Sequence, residues 1–208
     1  PELNQLGYFE FCDTVIAEVP VQAARLSFVG EAGWEISCAA HQAGQLFDTL
    51  ISAGANPAGV FAHTSMRIEK RFLAFGHDLD TDLNPFQAGL EFTLDWDRDF
   101  IGKTALLEYR GRPPASRLVS ILLDDTEAQP LGNEPVYHDG SIIGKTTSAA
   151  FGYRVGKPVA IAVVESAKSS LLDGLSIDVD IAGRQNAGTI VPGCVHDPEG
   201  LSMRIPPG

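Results

Sequence analysis

The chain has 208 residues, with 15 Lys and Arg against 27 Asp and Glu, for a formal charge of −12. Such an acidic surface excludes nucleic acid and anionic membrane as partners, because both require clustered cations. With 44% hydrophobic and 20% charged residues the composition is that of a globular protein with ample material for a core.

The first half mixes strands with helices. Thr14-Val15-Ile16-Ala17-Glu18-Val19 and Ala24-Arg25-Leu26-Ser27-Phe28-Val29 read as strands. Trp34-Glu35-Ile36-Ser37-Cys38 follows across the Gly30-Glu31-Ala32-Gly33 loop, which suits a hairpin. Period-two alternation puts Trp34, Ile36 and Cys38 on one face and Glu35 and Ser37 on the other. Ala43, Leu46, Phe47, Leu50 and Ile51 fall at helical spacing, with Gly54 as the stop. A second helix is expected from near Pro57, with Ala58, Phe61, Ala62, Ser65 and Met66 repeating that spacing and Arg67-Ile68-Glu69-Lys70-Arg71 continuing it. The order predicts an α+β subdomain, an antiparallel sheet with helices on one face.

Residues 76–85 form a polar loop, Phe92-Thr93-Leu94 a short strand and Lys103–Tyr109 a short helix. Gly111-Arg112-Pro113-Pro114 is the linker, since two prolines cannot continue a helix. Beyond it the pattern is all β: Arg117–Leu123, then Pro135–His138 and Ser141–Ile143 around an Asp139-Gly140 turn, then Val159–Val164, Ser176–Ile181 and Gly188–Val191. Short strands at this spacing suggest a small barrel or sandwich. Two domains are therefore expected, 1–112 and 113–208, the second a small all-β Greek-key-like barrel.

Motifs for several chemistries are incomplete. Gly102-Lys103-Thr104 and Gly144-Lys145-Thr146 resemble the end of a P-loop, but Asp97 and Asp139 stand where its first glycine is required. Asp78-x-Asp80-x-Asp82 lacks the glycine and terminal glutamate of a calcium loop, as does Asp95-x-Asp97-x-Asp99, and both read as solvated acidic loops in which Asp80 caps local backbone. No stretch approaches the roughly 18 apolar residues of a membrane helix, and the N-terminus lacks the basic and apolar regions of a secretory signal. Cys12, Cys38 and Cys194 are odd in number and widely spaced, which favours a soluble chain in a reducing compartment such as the cytoplasm. Cys38, near His41, reads as a packed core cysteine and His63 as a structural histidine of the second helix. Glu35 has two readings: a solvent-facing carboxylate, or an acceptor for two N–H donors of a planar heterocycle such as a guanine or pterin.

Six ordered blocks carry a resemblance through nearly the whole chain: Gly30-Glu31-Ala32-Gly33-Trp34-Glu35-Ile36, Ser65-Met66-Arg67-Ile68-Glu69-Lys70, Gly76-His77-Asp78-Leu79-Asp80, Asn84-Pro85-Phe86-Gln87-Ala88-Gly89-Leu90, Phe100-Ile101-Gly102-Lys103, and Gly144 to Ala160. The chain resembles the glycine-cleavage T-protein (aminomethyltransferase) superfamily. It is most like the folate-binding region of dimethylglycine and sarcosine dehydrogenases. The resemblance implies a tetrahydrofolate site in which Glu35 hydrogen-bonds the pterin, Phe92 stacks near the folate and Arg117 takes a carboxylate such as the glutamate tail. Phe28 lines the same pocket, expected between the two subdomains, and His63 stands where the glycine-cleavage enzyme carries a ligand-facing arginine. The implied reaction passes a one-carbon unit from an amine donor of the glycine, sarcosine or dimethylglycine type to N5 of tetrahydrofolate.

The resemblance also implies a partner segment. The family's catalytic aspartate lies upstream of Pro1, so no residue here inherits its role, and the chain reads as the C-terminal portion of a T-protein-like module. FAD is expected only in a separate domain of a larger parent protein. Two other readings stand beside this one. The iron–sulfur assembly members of the superfamily carry Lys-Gly-Cys-Tyr-x-Gly-Gln-Glu, which does not occur between Gly76 and Gly89. The other is a folate-binding or scaffolding module without catalysis.

Overall fold

A computed structural model describes residues 3–165 and 172–205. The leading Pro1-Glu2, read above for a secretory signal, lies outside them. The chain forms two compact units, Pro1–Arg67 with Asp197–Gly208, and Ile68–His196.

The first unit is built on an antiparallel sheet of β1 (Phe11–Ile16), β2 (Val19–Ala24) and β3 (Glu35–Cys38), in that order. Helix α1 (Ala43–Ser52) covers one face, its Leu46 and Leu50 packing with Val19, Val21, Ile36 and Cys38. Helix α2 (Val60–Glu69) follows, and α5 (Leu201–Arg204) completes this unit.

The expected strand over 14–19 is broken in two. Ala17 and Glu18 take φ of 47° and 66°, closing a two-residue hairpin of the type in which both central residues are left-handed. Neither is the Gly, Asn or Asp that usually marks such a turn. The strand expected over 24–29 also ends early: β2 stops at Ala24, opposite Glu35, and residues 25–34 form a loop that includes Trp34. On α2 the helix begins at Val60 rather than near Pro57, and Phe61 of its expected apolar stripe is 88% exposed. Burial falls instead on its last turn, where Ser65, Arg67, Ile68 and Glu69 are covered.

In the second unit six strands close an antiparallel barrel: β4 (Ser116–Leu123), β5 (Pro135–His138), β6 (Ser141–Gly152), β7 (Lys157–Glu165), β8 (Ser176–Ile181) and β9 (Arg184–Val191), ordered β4-β7-β6-β5-β8-β9. The meander β5-β6-β7 with β4 returning beside β7 is a Greek-key connection. Val119, Ile121, Ala160, Ala162, Val164 and Ile190 fill the interior. The opposite faces of β4 and β7 are buried too, because Leu118, Val159 and Ile161 pack against Ile68, Leu73, Leu79, Leu83 and Leu90. Burial on both faces explains why these two strands read as continuous apolar runs rather than alternating ones. Residues 68–112 thus pack with the barrel, whereas secondary structure changes character only at the 111–114 linker.

Helices α3 (Pro85–Ala88) and α4 (Lys103–Leu107) lie in this covering segment. Asn84 closes a capping box with Gln87, Pro85 occupies the first turn, and left-handed Gly89 ends α3. The chain then turns at once, with the Thr93 N–H and hydroxyl both donating to the Leu90 carbonyl. The strand expected at Phe92–Leu94 is therefore a single 3-10 turn, Glu91–Thr93. Lys103, the lysine of the first P-loop look-alike, donates to the Trp96 and Arg98 carbonyls at 2.8 and 2.6 Å and pins a loop. Among the described residues no helix is long and apolar enough to cross a membrane.

Two charged residues hold this unit together. Asp78 is buried, accepting from the Ala74 N–H at 3.0 Å and the Thr147 hydroxyl at 2.6 Å. It corrects the reading of 78–82 as wholly solvated, although Asp80 does accept from the Asp82 N–H. Glu69 is 0% exposed and accepts from Arg154 through Nε and the backbone N–H, both at 2.7 Å, and from the Val155 N–H at 3.2 Å. Its own carbonyl accepts from the Val195 and His196 N–H groups.

Removing one partner of a buried charge pair leaves the other uncompensated, at a cost of about 3 kcal/mol. Urea unfolding followed by tryptophan fluorescence should show that loss for Arg154→Ala. Lys157→Ala breaks only an exposed pair with Asp124 at 3.3 Å and should change stability by less than ~0.5 kcal/mol. Equal effects would show that Glu69 does not depend on Arg154. A Cβ at Gly144 would collide with the Val163 carbonyl of the neighbouring strand. Gly144→Ala should therefore lower stability by about 3 kcal/mol in the same measurement, and a neutral result would contradict this register.

Candidate functional site

The loop 25–34 and the start of β3 shape a cavity of about 500 Å³ in the first unit. That is within the range of small-molecule sites. Glu35 reaches it because period-two alternation sends Ile36 and Cys38 to the α1 side and leaves the Glu35 carboxylate exposed on the other. Phe28 and His63 supply an aromatic wall, their ring centroids 5.2 Å apart and their planes 31° from parallel. Tyr8, Phe9 and Trp34 add further rings, and Leu26 and Val29 complete the apolar lining.

Three of the five sequence-predicted residues, Phe28, Glu35 and His63, therefore line one cavity. Phe92 and Arg117 belong to the second unit. Phe92 is 82% exposed, and Arg117 is an exposed residue at the second position of β4, lining another cavity of about 690 Å³.

Sequence reasoning missed Trp34 as a lining residue by placing it on the core face. Its ring instead lies under Arg25, whose guanidinium carbon is 4.9 Å from the ring centroid. Arg25 is 2% exposed, and its Nη2 donates to the Ile205 carbonyl at 2.5 Å. Its backbone joins Phe9 and Glu10 by hydrogen bonds, and the Tyr8 hydroxyl donates to Met203 Sδ. The cavity's aromatic wall is thus braced from behind by a buried cation. A charged residue in a run read as strand gave no sign of this burial.

The arrangement offers one carboxylate, without a hydrogen-bond partner among the described residues, beside aromatic faces. A carboxylate binds two adjacent N–H donors side by side, and aromatic rings take the flat face of the same molecule. The cavity can therefore hold a planar heterocycle by its edge and its face together.

Two domain families match the chain: the GCVT N-terminal domain over residues 2–98 and the glycine cleavage T-protein C-terminal barrel domain over residues 117–197. The mitochondrial dimethylglycine dehydrogenase of Mus musculus is 33% identical over 192 residues, covering 88% of this chain and 22% of that protein. The 4-methylaminobutanoate oxidase (formaldehyde-forming) of Paenarthrobacter nicotinovorans is 34% identical over 195 residues, or 91% and 23% of the two chains. An aminomethyltransferase of Thermosynechococcus vestitus is 32% identical over 191 residues, or 91% and 51%. The chain thus spans under a quarter of the first two relatives and about half of the third. The crystal structure of the glycine cleavage system aminomethyltransferase T from Bartonella henselae shares the fold, with a TM-score of 0.82 at 22% identity over 97% of this chain and 54% of that one. With both halves matched in order, this chain belongs to the glycine cleavage T-protein family.

Proposed function

We propose that the chain is the pterin-binding portion of a tetrahydrofolate-dependent, aminomethyltransferase-like module. The module passes a one-carbon unit from an amine donor of the glycine, sarcosine or dimethylglycine type to tetrahydrofolate. The observation that carries this reading is the convergence of Glu35, Phe28 and His63 on one cavity. A reduced pterin presents a 2-amino group and an adjacent ring N–H, which match the carboxylate edge, and a flat ring that matches the aromatic wall. The residues present therefore fit this ligand.

In this reading Glu35 fixes the pterin's rotation and the Phe28–His63 pair fixes its plane. Holding N5 in one orientation toward the incoming carbon is the device by which such a site accelerates transfer. Arg117 for the folate carboxylate and Phe92 as a stacking residue rest on the resemblance, as does FAD in a separate domain of a larger parent. His63 in place of an arginine implies that tail recognition differs from that of the glycine-cleavage enzyme.

Titration calorimetry with 5-formyltetrahydrofolate tests the reading. Hydrogen bonds to a charged group contribute about 1.5–3 kcal/mol, so Glu35→Gln should weaken binding by roughly tenfold to a hundredfold. Phe28→Ala removes a stacking contact of about 1 kcal/mol and should weaken it roughly fivefold. Binding unchanged in Glu35→Gln would overturn the assignment. Binding that depends on Glu35 without any transfer of the one-carbon unit would favour the folate-binding module without catalysis.

A further inference from the structure

Three rings of the first unit's cavity are held from behind by residues near the other end of the chain. The Tyr8 hydroxyl donates to Met203 Sδ at 3.5 Å, across 195 residues. The Tyr8 and Phe9 ring centroids are 4.3 Å apart. Arg25 reaches the same end of the chain, donating through Nη2 to the Ile205 carbonyl at 2.5 Å across 180 residues. Its guanidinium carbon meanwhile stands 4.9 Å from the Trp34 ring centroid. The Arg25 main chain accepts from the Phe9 N–H at 2.9 Å and donates to the Glu10 carbonyl at 2.8 Å. Tyr8, Phe9 and Trp34 line the cavity, whereas Arg25, Met203 and Ile205 stand outside its lining.

Neither stretch that carries these rings, 8–10 or 25–34, belongs to a strand or helix. The rings therefore take their places from contacts made elsewhere in the unit. The segment supplying those contacts is itself anchored. Asp197 accepts from the Leu201 N–H at 2.9 Å and the Ser202 N–H at 3.2 Å, which fixes the start of α5, and Met203 is buried. A ligand that needs rings at set positions binds more tightly when they are ordered beforehand, because the ordering cost is not charged to binding.

We propose that Arg25 and Met203 are positioning residues of the pterin cavity, through which residues 197–205 hold its aromatic wall ready for ligand. The inference rests on the pterin reading of that cavity. Linkage makes the effect reciprocal: if docking of the C-terminal segment favours ligand, ligand favours docking of the segment by the same factor.

Calorimetry with 5-formyltetrahydrofolate on the full chain gives the first readout. Arg25→Met puts an apolar side chain of similar length in place of a buried cation, so the fold should survive, which a thermal melt checks. Arg25→Met and Met203→Ala should each weaken binding about fivefold or more. Saturating ligand should also slow amide hydrogen exchange across residues 201–205 about fivefold or more in the wild type, and not in Arg25→Met. A purely structural brace would leave that exchange unmoved by ligand. Trp34 emission, read in a Trp96→Phe background where it is the one tryptophan, needs no ligand and should shift in both variants. Wild-type affinity in a folded Arg25→Met, or exchange at 201–205 indifferent to bound ligand, would overturn the proposal. Should a variant fail to fold, the wild-type exchange decides. A wild type that binds no 5-formyltetrahydrofolate overturns the folate reading instead; shifted Trp34 emission would then uphold the bracing of the wall, and unshifted emission would overturn it too.

Discussion

Glu69 lies out of water, and its charge is tolerated only because Arg154 and two backbone N–H groups close around it. An isolated buried carboxylate costs several kcal/mol, so the three donors are a condition of the fold rather than an ornament. The side chain fixes the β6–β7 turn at residues 154–155, and the carbonyl fixes the segment after β9 at residues 195–196. Ile68 beside it seals the outer face of β4 and β7. Arg71, two residues on, is delivered from this fixed point to the wall of the cavity that Arg117 also lines. One buried charge thus sets the barrel's cover.

The first unit uses different means. Its cavity depends on β3 beginning at Glu35, opposite Ala24, so that the carboxylate falls on the face away from α1. Behind the cavity, Arg25 spans from the Trp34 ring to the Ile205 carbonyl. Its Nη1 is buried with no hydrogen-bond partner among the described residues. The guanidinium is held by its contacts with the ring and with the Ile205 carbonyl.

Much of this was legible in the residues. The 3–4 spacing from Ala43 to Ile51 specified α1, and the Asp139-Gly140 turn specified the β5–β6 hairpin, because each is a local signal with one physical solution. Glu35's face followed from alternation alone. The Ala17-Glu18 turn was not legible, since two residues that ordinarily avoid left-handed backbone occupy it. Nor was the burial of Asp78, whose partner Thr147 lies 69 residues away, or the exposure of Phe61 on a helix with a regular apolar stripe. Such features depend on what covers a side chain, and local pattern does not encode that. The family resemblance rested on six ordered blocks, and the two matching domain families cover five of them, all but Phe100-Ile101-Gly102-Lys103.

The most direct test of the central claim is a crystal structure of this chain with 5-formyltetrahydrofolate bound. The account predicts the pterin edge within hydrogen-bond distance of the Glu35 carboxylate, with its ring against Phe28 and His63. A pterin seated elsewhere, with Glu35 facing solvent, would contradict it.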